Sequence, residues 1–103
     1  IAQEIGDRAS EGKALGNLGV AYLQQGNYGQ ATAYLQQLLT IAQEIGDRAS
    51  EAIAWFNLGT TQAKLKQSSQ AIQSYENARS LYQQMGLEGD VQDCDQRIQQ
   101  LST

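Results

Sequence analysis

The sequence predicts an all-α solenoid of helical hairpins, and three observations carry that reading. The ten residues IAQEIGDRAS at 1–10 recur unchanged at 41–50. A 40-residue period falls in the range, about 20–50 residues, where each unit is one supersecondary element that buries its apolar face against the next. Proline is absent from the 103 residues, which are rich in the helix formers Ala, Leu, Gln and Glu. Glycine and aspartate punctuate the chain at matching places, at Gly6-Asp7, at Gly46-Asp47, and at Gly86 with Gly89-Asp90 just after. A glycine ending an apolar pattern supplies a left-handed residue and the aspartate after it an N-cap, so two helices are expected to meet at each pair.

Residues 1–5 are expected to be the tail of a helix whose beginning is missing. The first full helix is expected over about residues 8–25, where Ala14, Leu18, Ala21 and Tyr22 fall on one stripe. Gly26-Asn27 ends it, with Asn27 as the next N-cap. The second helix, about 28–45, has Ala31, Tyr34, Leu35, Leu38 and Ile41 on its stripe. The third, about 48–66, repeats the first with Ala54, Trp55, Leu58 and Thr61, and Gln67-Ser68-Ser69 breaks it. The fourth, about 69–85, carries Ala71, Ile72, Tyr75, Ala78 and Leu81. The fifth, about 90–101, places Val91, Cys94, Ile98 and Leu101 on one stripe and acids and glutamines elsewhere. A terminal unit needs such a polar outer face, so this is a capping helix.

The expected organisation is therefore a single array: 1–6 the tail of a preceding repeat, 7–46 and 47–86 two repeats, 87–103 the cap. Two and a half units lie near the lower limit for a stacked core, so stability is expected to be modest. The chain opens in mid-repeat without an initiator methionine, which is expected of a piece of a longer array.

Composition excludes several function classes. Seven Lys and Arg against eleven Asp and Glu give a formal charge of −4, and scattered cations make no basic stripe for nucleic acid. No apolar run is long enough for a membrane span, and no signal peptide opens the sequence. With no histidine and one cysteine there is no nucleophilic triad and no Cys/His metal set. Asp90, Asp93 and Asp95 lack the glycine turn and closing glutamate of a calcium loop, and acids suit the start of a helix. No enzyme, cofactor or metal is expected. The lone Cys94 aligns with Ala14 and Ala54 as a small core residue and suggests a reducing, cytoplasmic setting.

Leu15-x-x-Leu18-Gly19-x-x-Tyr22 followed by Ala31-x-x-x-Leu35 resembles the tetratricopeptide repeat signature, and Trp55, Leu58, Gly59, Ala71 and Tyr75 resemble it again, with Gln62 in place of the usual tyrosine. The 40-residue form, against the family's usual ~34, is similar to the repeats of Leu-Gly-Asn-rich G-protein regulators and kinesin light chains. Residues 87–103 depart from the pattern, with Gln99 at the position of Gly19 and Gly59. A glycine inside a helix costs about 1 kcal/mol relative to alanine, so Gly19 and Gly59 imply close helix approach. The resemblance implies a right-handed superhelix whose concave face is lined by the first helix of each unit and takes a peptide or protein partner.

Carried over to this sequence, that face comprises Lys13, Gly16, Asn17, Val20, Leu23 and Gln24, then Ile53, Phe56, Asn57, Thr60, Ala63 and Lys64. Asn17 and Asn57 match groove asparagines, whose amides can donate to and accept from a peptide backbone; exposed polar residues or bonds within the repeat are the alternative. Phe56, whose counterpart is Gly16, is either an apolar anchor for a partner or a packing residue against a neighbouring helix. Arg8, Arg48, Glu11 and Glu51 recur near the first-helix starts, at the groove edge, and are expected in salt bridges between successive repeats or in solvent, with ligand contact the alternative. Ile53 at the position of Lys13 argues against a clamp for a terminal carboxylate. The alternative function is self-assembly through the open N-terminal end, where Ile1 and Ile5 would be exposed.

Overall fold

The computed structural model describes the backbone of residues 2–103 and the side chains from Asp7 onward. Five helices follow one another, α1 (Ala2–Gln24), α2 (Tyr28–Ile45), α3 (Arg48–Lys64), α4 (Ser68–Gln84) and α5 (Glu88–Ser102). Each packs mainly on the next in the chain, with α1 also touching α3, in a body of 47 × 32 × 18 Å. The first helices α1, α3 and α5 thus alternate with the second helices α2 and α4.

Four turns share one geometry at a spacing of 20 residues. Gly26, Lys66, Gly46 and Gly86 all take positive φ, between 62° and 81°. The next residue's N–H reaches back to the carbonyl five residues earlier: Asn27 to Tyr22 at 2.8 Å, and Asp47 to Ala42, Gln67 to Gln62 and Leu87 to Tyr82 at 2.9 Å. This closure satisfies a carbonyl left over at each helix end. Asp47 adds the expected cap, accepting from the Ser50 N–H at 3.1 Å and the Ser50 hydroxyl at 2.7 Å. Asn27 precedes α2 without a side-chain cap bond, and Gln67 rather than a serine holds the corresponding place before α4.

Two expected boundaries are corrected. α5 starts at Glu88, so Gly89-Asp90 lies inside its first turn. More consequentially, α1 runs unbroken through Gly6-Asp7, where the sequence predicts a junction. The same decapeptide is a turn at 41–50 and helix at 2–10. The difference is tertiary: Ile41 and Ala42 are buried, so the end of α2 is pinned and the chain must reverse to bring α3 alongside. Among the described residues no helix packs on the upstream side of α1, and glycine costs a helix only about 1 kcal/mol. The side chains of Ile1 and Ile5, expected to be exposed, lie outside the described residues.

Close approach within each hairpin explains the mid-helix glycines. A Cβ on Gly19 would come within 2.7 Å of Leu35, and one on Gly59 within 2.9 Å of the Tyr75 ring. Ala31, Leu35, Ala71, Tyr75 and Ala78 are sealed in the core, and Cys94 is fully buried, as its alignment predicts.

Where the two hairpins differ, the differences compensate. Tyr22 stacks on Tyr34 with centroids 5.5 Å apart, while at the matching positions Gln62 and Ser74 hydrogen-bond at 2.6 Å. Gly16 faces the larger Leu38, while Phe56 is paired with the smaller Ala78.

The stripe of α1 is not core. Leu18 is 42% exposed, and Ala14 and Ala21 are exposed, whereas their α3 counterparts Ala54, Leu58 and Thr61 are at most 2% exposed. Ala54 packs on Leu38 and Ile41 of α2, and α3 as a whole packs against α2, whereas no upstream helix covers α1 among the described residues.

Candidate functional site

The first helices present their matching positions on one side of the molecule, and three depressions run along it. Between α1 and α3 lies a notch of about 320 Å³. Its floor is Leu38, seen past Gly12 and Gly16, and its walls include Lys13, Asn17, Val20 and Ile53. The notch exists because α1 carries glycines where α3 carries Ala52 and Phe56. A Cβ on Gly16 would already stand 3.1 Å from Leu38. Asp47 and Ser50 close one edge, with the carboxylate engaged in capping α3.

A trough of about 210 Å³ between α3 and α5 lies next to the notch, lined by Ile53, Phe56, Asn57, Tyr82, Asp90 and Asp93. Ile53, 46% exposed, is common to notch and trough. A third depression of about 240 Å³ holds Thr60, Ala63, Lys64 and Tyr75 from the second hairpin with Arg97, Gln100 and Leu101 from α5.

Of the residues named from sequence, Lys13, Asn17, Val20 and Ile53 meet in the notch, Phe56 and Asn57 in the trough, and Thr60 and Lys64 in the third depression. Gln24 is exposed but lines none of the three. Asn57 spends one amide hydrogen on its own helix, donating to Ile53 O at 3.1 Å, while Asn17 is exposed. Thr60 and the Tyr75 hydroxyl are 2.8 Å apart, which fixes the floor of the third depression.

Phe56 is half-buried. Its ring meets Tyr75 edge-on at 5.2 Å, and the Arg97 guanidinium lies over it 5.3 Å from the centroid. A cation over an aromatic face is attracted by the ring quadrupole. The ring therefore packs against Tyr75 of α4 and Arg97 of α5 while still lining the trough.

The residues missed from sequence belong mainly to α5: Asp90, Asp93, Arg97 and Gln100, with Tyr82 from α4. The signal was present. Carrying the 40-residue register one step further puts Asp93 at the position of Lys13 and Ile53, and Arg97 at that of Asn17 and Asn57. Burial, with Asp90, Cys94 and Asp93 nearby, pushes the Tyr82 hydroxyl up to about 12. Burial, with Asp95, Asp90 and Asp93 nearby, pushes the Cys94 thiol up to about 11. Both groups stay neutral and unreactive near neutral pH, unlike a nucleophile.

The repeated arginines brace each hairpin internally, α1 to α2 and α3 to α4, rather than bridging successive repeats as expected. Arg8 pairs with Glu44 and with Glu11, the latter at 3.0 Å, and its guanidinium is held above its ordinary range by these hydrogen bonds. Arg48 donates to Gln84 at 2.8 Å across the same 36-residue interval, and Gln43 donates to Glu51 at 3.4 Å. Arg79 joins α4 to α5 through Asp95 at 2.5 Å. Among the described residues no three acids, cysteines or histidines gather as a metal site, and no helix is long and apolar enough to cross a membrane.

Helical hairpins stacked at a fixed register, with a continuous row of first helices, define an α-solenoid. Residues 2–84 match the tetratricopeptide repeat family, and the chain belongs to it. The fold is similar to the crystal structure of the tetratricopeptide domain of Arabidopsis FLU, with a TM-score of 0.76 at 19% identity, covering 92% of this chain and 86% of that one. No curated protein gives a significant match. The tetratricopeptide fold generally mediates protein–protein interaction, and its domains are typically non-catalytic scaffolds.

Proposed function

We propose that the chain is a non-enzymatic scaffold that holds a peptide or protein segment in a concave groove along α1, α3 and α5. The observation that carries this reading is the notch: an apolar, Leu38-floored opening bordered by the exposed amide of Asn17 and the exposed chain of Ile53. Binding sites are concave and mainly apolar, with a few polar groups that orient the ligand. The units that build the groove are 7–46 and 47–86, with 87–103 as a cap that also lends its inner face. A reducing, cytoplasmic setting suits the single buried cysteine.

Peptides selected from a random library against the protein test this reading. They are expected to shift the backbone amide resonances of residues 13–20 and 53–60. Ile53→Ser with Asn17→Ala, both at exposed or half-exposed positions, should keep the helicity and weaken binding. Shifts confined to the outer faces of α2 and α4 would refute it.

A second reading is favoured by the open stripe of α1: Leu18, Ala14 and Ala21 match residues that α3 buries, so this face suits assembly through the N-terminal end. Light scattering separates it. A mass fixed near 11 kDa across concentration would remove it.

A further inference from the structure

Positions 13, 53 and 93 are one register position on three successive first helices, and there the groove changes from a cation to an aliphatic chain to a carboxylate. Lys13 borders the notch, Ile53 is the wall shared by notch and trough, and Asp93 borders the trough beside Asp90. Lys13 and Asp93 are exposed. Among the described residues no ion pair engages Lys13, Asp90 or Asp93, whereas Arg8 and Arg79 are both paired within the fold. Asp47, the other acid at the notch, is occupied with Ser50.

Between the two charges the surface is apolar and partly unfilled. In the second hairpin the position of Gly16 holds the Phe56 ring, so the notch is a place where this fold already accommodates a large apolar side chain.

Resting on the groove reading, we infer that the groove selects a segment of defined polarity. An acidic side chain lies by Lys13, an apolar side chain enters the notch over Gly12 and Gly16 beside Ile53, and a basic side chain lies by Asp93 and Asp90. The opposite order would set like charges against each other at both ends, and complementary charge governs specificity and register more than raw affinity. An extended chain advances about 3.3 Å per residue, so a heptapeptide reaches about 20 Å along this row of helices.

Phage-displayed random heptapeptides panned against the full 103-residue chain test the inference, in parallel with the charge-exchanged variant Lys13→Glu with Asp93→Lys, helicity being confirmed by circular dichroism. The wild type should enrich one order of acid and base around a central apolar residue, and the variant the reverse order. A synthetic heptapeptide from the wild-type pool should bind the variant about tenfold more weakly, each exposed pair contributing roughly threefold. Should the exchanged variant lose helicity, Lys13→Gln with Asp93→Asn replaces it, and the order preference should disappear. Enriched peptides without an order, or with the same order for wild type and exchanged variant, would overturn the inference and leave groove display standing. No enriched heptapeptide against either protein would overturn both.

Discussion

The decapeptide that is helix at one place and turn at another predicts opposite effects of one substitution made twice. At Gly46, φ is 71° and a Cβ would meet nothing within 4 Å. Gly46→Ala therefore carries no packing term, only the cost of a left-handed backbone, about 1–2 kcal/mol. The stiffer unfolded chain offsets about 0.4–1 kcal/mol of it, leaving a net loss of about 1 kcal/mol. Gly6 lies inside α1, where the same substitution gains up to about 1 kcal/mol. The two variants should differ by up to about 2 kcal/mol, which in a chain of this size is at most roughly 8–16 °C in Tm. Thermal and urea unfolding followed by circular dichroism at 222 nm measures both. If Gly6→Ala is as destabilising as Gly46→Ala, residues 6–7 form the left-handed junction that the sequence predicts, and the continuous α1 is wrong.

Two glycines seven residues apart in α1 should also differ in sign. A Cβ on Gly12 meets Ile41 and Leu38 at an ordinary 3.4 Å, so Gly12→Ala should stabilise by up to about 1 kcal/mol. Gly19→Ala drives a Cβ to 2.7 Å from the sealed Leu35, an overpacking cost of about 1–3 kcal/mol that exceeds the helix gain; equal urea midpoints for the two would contradict the packing. The buried Cys94 thiol is pushed from an ordinary 9.0 up to about 11 in the folded state. Its neutral form is favoured by folding, so that stability is full below pH 9 and is lost as pH rises toward 11. The urea midpoint should fall across that window, and Cys94→Ala should make the fall shallower; an unchanged slope would remove the thiol from the account.

The period, the helix types and the core positions of the second hairpin were legible because they depend on local chemistry stated twice. Ala71, Tyr75, Ala78 and Cys94 sit where their apolar spacing puts them. The α1 stripe was misread for a physical reason: periodicity shows which residues share a face but not whether another helix covers it. Leu18 and Leu58 occupy the same register and differ only in what lies above. The Gly6-Asp7 junction fails likewise, since its turn requires packed partners on both sides and ten residues cannot say whether they exist. Phe56 was ambiguous until Tyr75 and Arg97 were placed around it. The α5 lining of the trough was hidden because Asp90 and Asp93 suit a helix start, although the same 40-residue register already aligned Asp93 with Lys13 and Ile53.

The paired exchanges between the hairpins show where this array is free to vary. Stacking requires a filled layer between the two helices of each unit, but it does not require that a given helix supply the volume. Leu38 at Gly16, and Phe56 on the cluster that holds Ala78, are two solutions to that requirement, and they differ in what they leave on the side of the first helices. When the second helix supplies the bulk, the first helix is left bare and a notch opens toward solvent. When the first helix supplies it, the ring itself fills the surface and an arginine from the next unit covers it. Exchanging volume across a hairpin therefore moves a side-chain-sized opening along the groove without changing the fold. The core pair, as much as the exposed row, sets where an apolar opening lies along the first helices.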